Sequence, residues 1–110
     1  MPYVYLVQPV ELLDTNRFKV GMSSLNNLSR VRSYKKGTRC LFICECEHAL
    51  EVERTIIKEF NQNYKLIGGR EYFEVKDEAE MVNRFMNIVA NYKKQMPIAD
   101  VWMKRFAFKA

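Results

Sequence analysis

The 110-residue chain reads as an α+β domain, a small central and mostly antiparallel β-sheet flanked by helices. Three observations point there. Short β-branched and aromatic runs at residues 3–7, 18–22 and 39–47 are bounded by polar turns, and two longer segments, 48–62 and 78–92, repeat apolar residues at helical spacing. The strand and helix signals interleave in the order β-β-α-β-α-β-α. With 48% apolar residues the chain closes one core without disulfides or a structural metal. Residues 1–94 are therefore assigned to a single domain. Residues 95–110, which begin Gln95-Met96-Pro97 and carry Trp102 and Phe106, are assigned to a tail that packs back on the domain or on a partner, a homo-oligomer being one outcome.

Residues 3–7 and 18–22 flank the polar turn region Leu13-Asp14-Thr15-Asn16-Arg17 and pair as an antiparallel hairpin. Residues 25–34 follow as a short helix, with Ser23, Ser24 or Asn26 as its N-cap and Gly37 as its stop. Residues 39–47 place Phe42, Cys44 and Cys46 on one face of a strand and Leu41, Ile43 and Glu45 on the other, which predicts a position near the sheet centre. The helix of residues 48–62 ends before Gly68-Gly69, and Glu71-Tyr72-Phe73-Glu74-Val75 returns as a fourth strand. Asp77, with Glu80 three residues on, makes a capping box for residues 78–92. There Met81, Val82, Phe85, Ile88, Val89 and Tyr92 fall within one arc of about 120°, a core-packing face.

No apolar run approaches the roughly 18 residues of a membrane span, and the opening Met1-Pro2-Tyr3-Val4-Tyr5 lacks the pattern of a secretory leader. Cys40, Cys44 and Cys46 are three, within seven residues, which argues against a secreted disulfide framework. A soluble protein of a reducing, intracellular compartment, cytoplasm or nucleus of a host cell, is expected. The net charge of +5 is unevenly placed: between Asp14 and Glu45 stand seven cations (Arg17, Lys19, Arg30, Arg32, Lys35, Lys36, Arg39) and no carboxylate, leaving −2 for the rest. A field concentrated in this way suits a polyphosphate such as DNA.

On the helix of residues 48–62, steps of 100° gather Ala49, Leu50, Val52, Ile56, Ile57 and Phe60 into one arc, and Glu53 falls in its middle. A carboxylate there needs a cation, a metal or hydrogen bonds to offset its desolvation. Either a structural arginine or a functional ion fills that need, and periodicity alone does not choose between them.

Four segments together resemble a known family. Lys19-Val20-Gly21-Met22-Ser23 followed by Leu28-Ser29-Arg30-Val31-Arg32-Ser33-Tyr34 resembles the "YIG" strand, loop and arginine-bearing helix of GIY-YIG endonucleases. Tyr3-Val4-Tyr5-Leu6 resembles the preceding "GIY" strand, and Val52-Glu53-Arg54-Thr55-Ile56-Ile57-Lys58 the helix bearing the family's metal-binding glutamate. Glu71-Tyr72-Phe73 resembles a motif of the phage and large-DNA-virus branch. The resemblance spans residues 3–75. It departs from the family at Tyr3 (for the first Gly of GIY), Lys19 (for the YIG tyrosine), Met22 and Ile57.

Position by position, the resemblance implies catalytic roles for Tyr5, Lys19, Arg30 and Glu53. Glu53 would be the ligand of Mg²⁺ or Mn²⁺, which takes one or two carboxylates and completes its shell with water and phosphate oxygen. Arg30 would neutralise charge on the phosphoryl oxygens, Tyr5 or Lys19 would position or deprotonate water, and Arg32, Lys35, Lys36 and Arg39 would hold flanking phosphates. On the helix wheel Arg32 lies nearer the apolar face than Arg30, so it stands as the alternative site arginine. The implied activity is metal-dependent hydrolysis of DNA phosphodiesters. A nucleic-acid-binding module that keeps the fold without turnover is the alternative, and an interaction protein on the same scaffold is a third. Zinc is disfavoured, because residues 40 to 48 would span about 26 Å as a strand, too far for one tetrahedral ion.

Overall fold

The computed structural model describes residues 2–23 and 34–92. Residues 25–33 of the expected helix and the tail of residues 95–110 lie outside these, as do Arg30 and Arg32. The described elements are β1 (Tyr3–Gln8), a 3₁₀ turn (Val10–Leu12), β2 (Arg17–Ser23), β3 (Arg39–Glu45), α1 (Ala49–Asn63), β4 (Lys65–Gly68), β5 (Tyr72–Glu74) and α2 (Glu78–Tyr92). They form a five-stranded antiparallel sheet flanked by two helices, an α+β fold.

The hairpin β1–β2 pairs Tyr5 with Gly21 and Val7 with Lys19. Its connection is organised by Gln8, which is fully buried: its amide donates to the carbonyls of Leu12 (3.0 Å) and Thr15 (2.9 Å), and its oxygen accepts from Arg39 Nη1 (2.7 Å). A buried side-chain amide is tolerable only when its donors and acceptor are used in this way. Asp14 turns the chain with φ 63°, the left-handed conformation that Asp adopts more readily than most residues.

Two expectations need correction. The sheet order is β3-β1-β2-β5-β4, so the strand of residues 39–47 occupies an edge and β2 the centre. The apolar alternation of β3 reports coverage of its two faces, Phe42 and Cys44 toward one cluster and Ile43 toward another, and face burial says nothing about which neighbours pair with its edges. The second correction is an unexpected strand. Lys65–Gly68 pairs with β5 through the tight connection at Gly69 (φ +52°), extending the sheet on the side away from β3.

One face of the sheet carries the main core: Val4 and Leu6 of β1, Phe18 and Val20 of β2, Phe42 and Cys44 of β3, and Phe73 of β5 meet Val52, Ile56 and Phe60 of α1 and Met81, Phe85 and Val89 of α2. Phe60 stands among Phe73 (5.4 Å), Tyr64 (4.9 Å) and Phe85 (6.4 Å) in edge-to-face contacts. Cys44 and Cys46 are buried here as small hydrophobes and Cys40 is exposed; no disulfide joins the three. Leu50, expected in the buried arc of α1, is 49% exposed, because the arc that meets the sheet is narrower than the apolar residues alone suggest. Half of the expected capping box of α2 is present, Asp77 Oδ1 accepting from Glu80 N at 3.1 Å, while the Glu80 carboxylate accepts from Tyr64 and Arg84 instead. Among the described residues no helix is long and apolar enough to cross a membrane.

On the opposite face Tyr3, Tyr5 and Val7 of β1 cluster with Ile43 and Tyr34. Strand alternation sends Lys19 and Gly21 of β2 to this side, since Phe18 and Val20 belong to the other.

Candidate functional site

A small pocket of about 100 Å³ is lined by Tyr5 of β1, Lys19, Gly21 and Met22 of β2, Glu53 of α1 and Glu71, which immediately precedes β5. A water needs only about 10–15 Å³ of such space, so the pocket admits several waters or a phosphoryl-sized group. Its walls come from four separate segments, which fixes their relative positions through the packed core beneath.

Tyr5 is 1% exposed. Its ring lies directly over its cross-strand partner Gly21: a Cβ at residue 21 would stand 2.5 Å from ring atoms Cε1 and Cζ and 2.6 Å from the hydroxyl. The glycine is thus required by the tyrosine, not by a turn. The Tyr5 hydroxyl is 3.5 Å from that of Tyr34, and the two rings meet edge-on at 6.1 Å and 80°.

Glu53, 9% exposed, is the one carboxylate among the buried residues described. It belongs to α1, which packs across β2 and β1, and the helix-face arithmetic that singled it out corresponds to its burial beside Val52 and Ile56. Lys19 rises from the central strand with a side chain only 20% exposed. Its ammonium lies 3.9 Å from Glu71 Oε2, 5.0 Å from the centroid of the Tyr34 ring and 5.5 Å from that of Tyr72, its register partner on β5.

Tyr5, Lys19 and Glu53 therefore line one pocket. The remaining expected residues fall elsewhere. Lys35 is strongly exposed and 4.0 Å from Glu11, and Lys36 is also exposed. Arg39 makes a two-pronged ion pair with Glu78 (3.0 Å for each nitrogen) while holding Gln8, so its guanidinium joins β3 to α2 and to the end of β1. Three participants escaped sequence reasoning: Glu71, Tyr72 and Tyr34. All three stood in recognised segments but without a role. Only the β2–β5 register, which sets Tyr72 opposite Lys19, could have supplied one.

Among the described residues no group of three or more His, Cys, Asp or Glu side chains could enclose a metal. The pocket nevertheless offers hard oxygen donors, the carboxylates of Glu53 and Glu71 and the phenol of Tyr5. That set fits Mg²⁺ or Mn²⁺, which is held by one or two carboxylates with water and substrate oxygen completing the shell, and does not fit a closed structural site.

A second polar cluster joins α1, the Tyr64 that caps its end, and α2. Tyr64 donates to Glu80 Oε1 at 2.6 Å and accepts from Arg84 Nε at 3.0 Å, while Arg84 also reaches Glu80 (3.0 Å) and Glu59 (3.8 Å). Burial first, then the hydrogen bond to Glu80, pushes the Tyr64 phenol up to about 12.

The sequence matches the T5orf172 domain family over residues 2–90. No curated protein and no solved structure gives a significant match. The family match suggests a nuclease-like or DNA-binding module.

Proposed function

We propose, from the premise that this chain belongs to the T5orf172 domain family, that it is a metal-dependent endonuclease hydrolysing DNA phosphodiesters through a GIY-YIG-type site. The observation that carries the reading is the convergence of Tyr5, Lys19 and Glu53, from β1, β2 and α1, on one phosphoryl-sized pocket. Tyr5 would orient the attacking water through its hydroxyl, which the buried ring and Gly21 hold in place. Glu53 would hold Mg²⁺ or Mn²⁺. The ion would supply charge neutralisation at the phosphoryl oxygens and a more acidic water. Arg30, by the resemblance, would add positive charge to the same oxygens. The exposed Lys35 and Lys36 would meet flanking phosphates, with Arg32 as a further candidate; Arg39 is already committed to Gln8 and Glu78.

The test is Glu53→Gln, which keeps the side-chain shape and removes its charge. Supercoiled-plasmid nicking should fall at least about a hundredfold, roughly 3 kcal/mol of transition-state stabilisation, with Mn²⁺ affinity largely lost. DNA binding in EDTA should stay near wild type. A structural carboxylate gives the reverse: a lowered melting temperature from a broken buried pair and Mn²⁺ binding absent from both proteins.

The second reading, a DNA-binding module without turnover, is favoured by Lys19 at the position of the YIG tyrosine. A wild-type protein that binds DNA yet neither binds Mn²⁺ nor nicks plasmid establishes it.

A further inference from the structure

We infer that Glu71, Tyr34 and Tyr72 form a cage that aims the Lys19 ammonium at the phosphate in the pocket, so that Lys19 contacts the phosphodiester and the other three are its positioning residues. This inference rests on the nuclease-like reading of the pocket.

A lysine on a long flexible stem ordinarily spreads its ammonium through solvent, and immobilising it costs rotamer entropy. Lys19 is held from three directions instead. The Tyr34 and Tyr72 rings present their faces at 5.0 and 5.5 Å, within the range of cation–π attraction, and the Glu71 carboxylate approaches to 3.9 Å. None of these contacts is a hydrogen bond: 3.9 Å exceeds the N–H···O range, and ring faces attract the charge without a lone pair in line with one N–H. Among the described residues no acceptor stands within hydrogen-bonding distance of the ammonium. Among the described residues the cage thus fixes where the charge sits while leaving its N–H donors to an incoming oxygen.

Lys19 and Glu53 line the same pocket, so a phosphate entering it meets both the cation and the buried carboxylate. Glu71 has a side chain 41% exposed and can turn toward solvent as a phosphate oxygen takes its place at Lys19. A carboxylate in that position holds Lys19 ready when no substrate is present and competes mildly with the phosphate when it is.

The experiment measures binding of a short DNA duplex in EDTA across a salt series, for wild type, Lys19→Met, Lys19→Arg and Glu71→Gln, with melting temperatures for each. Lys19→Met should lower the slope of log K against log salt by about 0.9, the signature of one lost phosphate contact. Lys19→Arg should keep the wild-type slope. Glu71→Gln should keep the slope and raise affinity a few-fold, because the carboxylate that competes with the phosphate is gone while the ammonium remains. A Lys19→Met protein with an unchanged slope overturns the inference, whatever its melting temperature, since a structural cation alters stability and not counterion release. If Lys19→Met fails to fold, a Lys19→Arg slope equal to wild type together with tighter binding by Glu71→Gln supports the inference, and an unchanged Glu71→Gln affinity overturns it. The salt series needs neither metal nor turnover. A wild type that fails to nick therefore removes the nuclease reading and leaves the Lys19 contact decided by its own slope.

Discussion

Replacing Gly21 by Ala adds one methyl group to a strand interior, where alanine ordinarily gains about 0.5–1 kcal/mol over glycine through the smaller entropy of the unfolded chain. Here the sign should reverse. The new Cβ would lie 2.5 Å from Cε1 and Cζ of Tyr5, whereas ordinary contact begins near 3.4 Å, so the ring must withdraw by roughly 1 Å. Tyr5 is 1% exposed and packed with Tyr3, Val7, Ile43 and Tyr34, which leaves little room for that movement. Overpacking of this kind costs about 1–3 kcal/mol, and the net loss should lower the melting temperature by roughly 5–10 °C. Displacing the Tyr5 hydroxyl by about 1 Å should also lower nicking on the order of a hundredfold. Thermal melts of wild type, Gly21→Ala, Tyr5→Ala and the double variant test the cause. Without the ring, an alanine at 21 fills vacated space and should be neutral or stabilising. A Gly21→Ala protein that melts at or above the wild-type temperature, or that pays the same penalty in the Tyr5→Ala background, refutes the steric argument.

Two further outcomes follow from residues away from the pocket. Replacing the exposed Lys35 and Lys36 by Ala should reduce the salt slope of DNA binding by roughly one to two units with little change in sequence preference; an unaltered slope makes them solvated surface only. Because the Tyr64 phenol is raised from 10.0 to about 12, the native state holds this proton more tightly than the unfolded chain. Its contribution is complete below pH 10 and is lost as pH rises through about 12. Melting temperatures measured across that window should fall less steeply for Tyr64→Phe than for wild type, and parallel curves would remove Tyr64 from the alkaline transition.

Much of the fold was legible because it depends on patterns within a single segment. The turn residues between 13 and 17 and the flanking apolar runs specify the β1–β2 hairpin, and the Asp77–Glu80 cap with its 3–4 spacing specifies α2. The burial of Glu53 was visible for the same reason, since a helix repeats every 3.6 residues and so carries its buried face in its own spacing. Tertiary structure alone decided what meets those faces and edges. Lys65–Gly68 is four residues long with Leu66 40% exposed, too short to show alternation, and becomes a strand through its pairing with β5. The apolar run of β3 looked central and lies at an edge, because periodicity records coverage above and below a strand and not the neighbours beside it. Gly21 appeared as a motif letter, while its reason, the Tyr5 ring above it, belongs to another strand. Likewise the Lys19 cage draws on residues 34, 71 and 72, and the Gln8–Arg39–Glu78 chain links residues far apart in sequence. Local spacing determines which way a side chain points, but the partner it finds there is set by strand register and helix packing, which exist only once the whole chain has closed on its core.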